Sequence, residues 1–136
     1  MIKDLNHVTI LVKEYDEALR FYTEVLGLEK RMDAQFGPAR WVTVAPKGKS
    51  NLEIVLQKPE ASMHGETGAK AMEGRIGQNT TWVFGTDDCH KTYDELRAKG
   101  VQFTSPPSEQ PWGVQAVFQD LYGNSFALVQ QVQGSN

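Results

Sequence analysis

The chain has 136 residues, 40% hydrophobic and 23% charged, which excludes disordered and fibrous chains and fits one compact domain or two half-units sharing a core. Fourteen basic against seventeen acidic residues leave a net charge of −3, with no basic run to engage nucleic acid or a membrane surface. Met1–Asn6 holds no apolar stretch of leader length, no run is long enough to span a bilayer, and the single cysteine, Cys89, forms no internal disulfide, so a reducing cytoplasm is the expected compartment.

The β-branched run Leu5–Val12 reads as a strand, with Val8, Ile10 and Val12 on the face suited to packing under helices and His7 and Thr9 on the other. From Glu14 to Gly27, apolar residues at 18, 21, 22, 25 and 26 follow helical spacing, acids crowd the first turn and Gly27 is a stop. Strands are expected over Leu28–Gln35, Arg40–Ala45 and Leu52–Gln57, with turns at Gly37-Pro38 and across residues 46–51. Between Lys58 and Gln78 the pattern fades into a Gly-punctuated connecting loop, with a short helix near Ala69–Met72; a loop of this length often serves as a lid or crossover.

The order then recurs. Thr80–Thr86 reads as a strand, Asp88–Lys99 as a helix ending at Gly100, and Val101–Thr104, Val114–Phe118 and Ser125–Val132 as strands. His7 and Thr81 start the two halves about 74 residues apart, and each half runs strand, helix and three strands, which points to an internal duplication.

Four stretches carry a family resemblance. Leu5-Asn6-His7-Val8-Thr9-Ile10-Leu11-Val12 looks like a first strand with its histidine, and Glu17-Ala18-Leu19-Arg20-Phe21-Tyr22 through Leu26-Gly27-Leu28 looks like an A-x-x-F-Y-x-x-x-L-G helix. Asn51-Leu52-Glu53-Ile54-Val55-Leu56 looks like a module-closing strand, and Phe118-Gln119-Asp120-Leu121-Tyr122-Gly123-Asn124-Ser125-Phe126 like a D-P-x-G-N turn with Leu121 in the proline position. Together they resemble the vicinal oxygen chelate superfamily, which holds glyoxalase, bleomycin-resistance and extradiol-dioxygenase proteins. The resemblance implies an α+β fold of two βαβββ modules forming a curved mixed sheet, helices outside and a ligand cavity inside. It places module 1 at 1–58, a connecting loop at 59–78 and module 2 at 79–133, and it implies a homodimer.

Metal-using members of that superfamily take one ligand from the first and one from the last strand of each module, leaving open positions on a divalent cation such as Zn, Ni, Mn or Fe for substrate oxygens. Strand alternation turns His7 and Glu53 toward the expected cavity, the first-module half of such a site. The matching second-module positions are Thr81 and Ala127, poor and impossible ligands respectively. Either a third ligand comes from His64, Glu66 or Gln115, or the protein binds its ligand without metal.

Each candidate also has a plain reading. His7 reads equally as a hydrogen-bonded structural histidine, and Glu53 as a partner for His7 or Arg40 or as a solvated carboxylate. Together they also form a general base or hydrogen-bonding anchor that needs no metal. His64 reads as a solvated loop residue, His90 as a surface residue of the second helix and Cys89 as a small core residue. Trp41, Trp112 and Tyr122 read as packing aromatics, with Trp112 singled out because its Pro/Gly-flanked loop suits a pocket wall. Trp41, Trp112 and Gln115 with the His7–Glu53 pair supply the apolar-plus-polar mixture of a small-molecule site.

Two functions compete on these residues. One is a metal-poor protein that binds a small organic ligand; the other is a divalent-metal lyase, isomerase or dioxygenase on an oxygen-rich substrate, distinct from a standard glyoxalase I. A thiol transferase belongs with the second, and a purely dimerising or regulatory scaffold is a third reading. Fold alone does not choose among them.

Overall fold

The β-branched opening forms the short strand β1 (His7–Leu11), and Glu14 in extended conformation leads into α1 (Tyr15–Arg20), whose first turn holds Asp16 and Glu17. A computed structural model describes residues 1–48, 51–79 and 81–132. Lys49 and Ser50 of an expected turn, Thr80 at an expected strand start and Gln133 at the expected end of module 2 lie outside the described residues. Two units divide the chain, Met1–Gly77 and Gln78–Asn136.

In the first unit, β2 (Glu29–Phe36), β3 (Ala39–Ala45) and β4 (Glu53–Gln57) complete a four-stranded mixed sheet in the order β1-β4-β3-β2. β1 runs parallel to β4, and the other neighbours are antiparallel. Register and alternation put Ile10, Val42, Val44, Ile54 and Leu56 on one face, all buried where α1 packs on β3 and β4. A fully buried side chain of this size contributes about 1.5–3 kcal/mol.

The helical pattern does not continue as one α-helix to Gly27. After Arg20 the chain makes a π-helical turn, Phe21–Val25, closed by Leu26 N donating to Phe21 O at 3.0 Å. Thr23 Oγ1 donates back to Leu19 O at 2.7 Å, a bond that loosens a helix locally. The extra residue lets both Phe21 and Tyr22 bury, their rings meeting edge to face at 5.5 Å. Gly27 then takes φ +77° and ends the helix as its sequence position anticipates.

Where a connecting loop with a short helix was expected, the structure has α2 (Ala61–Glu73), thirteen residues kinked at Gly65 (φ 74°, ψ 163°). Gly65 and Gly68 hide it in the sequence, and Ala69 is the one residue of α2 in the buried class.

The second unit repeats the plan with β5 (Trp82–Gly85), α3 (Cys89–Ala98), β6 (Gln102–Gln110), β7 (Gly113–Gln119) and β8 (Ser125–Gln131), ordered β5-β8-β7-β6 with β5 parallel to β8. Asp88 caps α3 by accepting from Lys91 N at 3.1 Å. Phe84, Phe103, Phe118 and Phe126 stack and tilt against one another at 5.1–6.2 Å between centroids, with Cys89 and Leu96 buried on α3. Replacing Phe126 by Ala here costs about 3–5 kcal/mol.

β6 is longer than its sequence suggests. Pro106 and Pro107 argue against a strand, yet β6 pairs with β7 alone in its sheet, and both prolines fall in the register shift between Ser105↔Val117 and Ser108↔Gln115. The turn before β8 is built on Asp120, whose Oδ1 accepts from Tyr122 N (2.8 Å) and Asn124 N (2.9 Å) while Oδ2 accepts from Asn124 Nδ2 (2.9 Å). The fold is therefore two βαβββ units, each with one four-stranded mixed sheet. No helix among the described residues is long and apolar enough to cross a membrane.

Candidate functional site

The first sheet's other face, away from α1, carries the polar groups. Its register sets His7 beside Glu53 and Thr9 beside Val55 across β1 and β4, and Thr43 opposite Val55 across β3 and β4, with Trp41 two residues before Thr43 on the same side. The His7 and Trp41 rings are 5.6 Å apart at 60°. His7 Nε2 lies 3.8 Å from Glu53 Oε1, with the two side chains 37% and 29% exposed. Thr43, wholly buried, donates its hydroxyl to the same Oε1 at 2.6 Å. His7 Nδ1 meets Asn6 Oδ1 at 2.7 Å, and Asn6 O accepts from Glu53 N at 3.0 Å.

Thr43 and Asn6 are the members of this cluster that reading the sequence passed over. Alternation along β3 places Thr43 on Trp41's face, and Asn6 is His7's chain neighbour; both signals lie in the sequence, but neither residue type announces a role. Arg40 is no partner of Glu53. It lies on the helix side, where Nε and Nη2 grip Asp33 Oδ1 and Oδ2 at 2.9 Å each, Nη2 also donates to Asp16, and the guanidinium covers the Tyr15 ring at 5.2 Å. Burial, above all, raises the Tyr15 hydroxyl above its ordinary pKa.

The other candidates lie on other elements. His64 lies in α2 with Nδ1 accepting from Glu60 N at 3.2 Å, and Glu66 follows the Gly65 kink, exposed. His90 is exposed in the first turn of α3. Cys89 is buried, its thiol donating to Leu128 O at 3.6 Å and pushed above the ordinary thiol pKa by burial. Tyr122 belongs to the Asp120 turn. Trp112 is 51% exposed in the β6–β7 turn, and its indole N–H donates to Gln115 Oε1 at 2.9 Å.

The second sheet lacks a counterpart of the His–Glu pair, and its register alters the match drawn from sequence. Thr81 precedes β5; the residue beside Ala127 is Val83, while Trp82 stands beside Phe126. With Thr86 N bonded to Val129 O as Val12 N is to Gln57 O, Thr81 corresponds to His7 and Ser125 to Glu53. Neither pairing offers an imidazole or a carboxylate. An open cavity of about 740 Å³ on this unit is lined by Val83, Gly85, Thr86, Asp87 and the Val129–Gln131 stretch, with Asp87 its one carboxylate.

A divalent cation held by protein takes three or four ligands at a catalytic or structural site. Among the described residues no three His, Cys, Asp or Glu side chains converge for one, and the Glu53 oxygen nearest His7 already accepts from Thr43. What this sheet face brings together is one imidazole, one carboxylate, a threonine hydroxyl and the Trp41 ring.

Comparison with known proteins gives this fold its class. The family model described as the Glyoxalase/Bleomycin resistance protein/Dioxygenase superfamily matches residues 4–128, and the chain belongs to that superfamily. An uncharacterized protein of Shewanella frigidimarina is 34% identical over 135 residues, covering 96% of this chain and 95% of the relative. The crystal structure of UcmS2 is similar at TM-score 0.87 and 38% identity, covering 96% of this chain and all of the other. That of TnmS3, an antibiotic binding protein from Streptomyces sp. CB03234, is similar at TM-score 0.80 and 28% identity, covering 96% and 98%.

Proposed function

We propose that this chain binds a small organic molecule with a flat apolar surface on the Trp41 face of its first unit and holds it without a metal ion. The observation that carries this reading is the grouping of Trp41, His7, Glu53 and Thr43 on one sheet face, an apolar plate with few polar groups at its edge. The antibiotic-binding description of TnmS3 supports it, since that protein shares the fold and 28% of aligned residues. In this reading His7 and Glu53 anchor the ligand by hydrogen bonds, the Trp112–Gln115 pair on the second unit is a further ligand contact, and the protein works as a cytoplasmic homodimer.

Tryptophan emission of the full chain titrated with flat probes (naphthalene, acridine and flavone) tests the reading. A saturable change that Trp41→Ala abolishes is expected. No saturable change with any probe overturns it. The alternative, divalent-metal lyase, isomerase or dioxygenase chemistry, has the retained His7–Glu53 pair in its favour. Stoichiometric metal in protein purified without a histidine tag, lost in the His7→Ala/Glu53→Ala double variant, establishes that alternative instead.

A further inference from the structure

The hydrogen-bond inventory around Trp41 narrows the ligand's chemistry. Asn6 Oδ1 only accepts, so the 2.7 Å contact from His7 Nδ1 makes that nitrogen the donor and leaves the lone pair of the neutral ring on Nε2. The backbone carbonyl of Asn6 accepts from Glu53 N, which anchors the main chain of Asn6 beside the pair at the start of the β1–β4 ladder. Nε2 then faces Glu53 Oε1 at 3.8 Å, acceptor toward acceptor, beyond hydrogen-bond reach. The one hydrogen that Thr43 can donate already goes to Oε1, and Oε2 makes no hydrogen bond among the described residues. Beside Trp41 the sheet thus offers two acceptors, an imidazole nitrogen and a carboxylate, both open to a donor from outside the chain; the Thr9 hydroxyl, further along β1, can play either role.

We infer that the group selected here is an aromatic hydroxyl, its ring against Trp41 and its O–H donated to His7 Nε2 or Glu53. The inference rests on the ligand-binding reading above and adds the donor requirement to it. A hydroxyl carries its hydrogen in or near the plane of the ring that lies against Trp41, where the two acceptors stand, and the ammonium probe below distinguishes it from a cationic donor. An aryl ether or ketone brings only acceptors and faces two acceptors, so it loses the contacts it would need.

Calorimetric titration of the full chain with three probes of one ring size tests this: 2-naphthol, 2-methoxynaphthalene and 2-naphthylmethylammonium. The expected result is 2-naphthol bound about ten-fold or more tighter than the methyl ether, because a site built to hydrogen-bond a hydroxyl rejects the analogue lacking it. In His7→Phe, which keeps a ring beside Trp41, and in Asn6→Leu, which frees the tautomer, that preference falls toward equality. Circular dichroism checks that both variants fold. Equal affinity for naphthol and its methyl ether in the unmodified protein overturns the inference and leaves the Trp41 platform standing. Tighter binding of the ammonium overturns it in favour of a cation site, and no binding of any of the three removes the inference together with the reading beneath it.

Discussion

Arg40 holds Asp33 by two parallel hydrogen bonds, Nε to Oδ1 and Nη2 to Oδ2, each 2.9 Å, across the β2–β3 hairpin. This two-point geometry aligns a guanidinium with a carboxylate better than any single contact. The hydrogen bonds from Arg40 hold the Asp33 carboxyl below its ordinary value, and the carboxylates of Asp33 and Asp16 push the guanidinium up, so Arg40 stays cationic throughout.

Asp33→Asn is expected to lower stability near neutral pH by roughly 0.5–1 kcal/mol, the range for a well-aligned surface pair. A carboxyl with a depressed folded-state pKa contributes stability that is present above the unfolded value and lost as pH falls through the folded one. Urea midpoints measured from pH 7 downward should show wild type and variant converging below the ordinary aspartate value of 3.8. A gap that persists unchanged at low pH contradicts the assignment.

Gly113 opens β7 with φ +141°, and a Cβ there would collide with the backbone carbonyl of Gln130. Backbone cannot retreat as a flexible side chain can, so Gly113→Ala forces the β7–β8 pairing apart. The expected loss is about 2–4 kcal/mol, above the usual cost of a substitution. Thermal melting by circular dichroism reads it; a variant as stable as the parent shows the close approach is absent.

Asn124 is wholly buried and returns two bonds to Asp120. Asn124→Ala strips the side-chain donor from a buried carboxylate, at an expected cost of about 1–3 kcal/mol. Asn124→Asp sets a like charge against Asp120 and should cost more at pH 7 than at pH 4. Chemical denaturation at the two pH values tests the pair.

Thr43→Val keeps the shape of the side chain and removes its hydroxyl from Glu53 Oε1. Stability should fall by about 1 kcal/mol, with a coupling of at least about 0.5 kcal/mol to Glu53→Leu, which removes the accepting oxygen, in a double-variant cycle. Strict additivity of the two changes tells against the 2.6 Å bond.

Most of this fold is legible in the sequence because its local rules agree. Alternation along β1, β3 and β4 and the caps at Asp88 and Gly27 each point the same way. Prediction stops where tertiary packing decides. The π-helical turn at Phe21–Val25 serves the burial of two adjacent aromatics, and β6 tolerates its prolines because bulges absorb them. α2 leaves little apolar signal to read, since Ala69 is its one buried residue. Within the site, alternation was enough to bring His7 and Glu53 together. It could not reveal that Asn6 sets the imidazole tautomer, nor that Thr43 has already spent its hydrogen, because both depend on side-chain geometry. In the second module the match of Thr81 to His7 holds, while the counterpart of Glu53 shifts by two residues from Ala127 to Ser125, because matching apolar neighbours along a strand does not fix which residue lies beside the first strand.

Within its sheet β1 pairs with β4 alone, and the Asn6–Glu53 backbone bond lies at the very start of that ladder. Strand ends fray before cores melt. Release of this one amide loosens the main chain that carries Asn6 and His7, and with it the Asn6–His7 side-chain contact, while the apolar layer beneath α1 stays shut. On the ligand-binding reading proposed above, recognition then has a lower thermal threshold than folding: warming should erase the choice of ligand some degrees before it erases the shape.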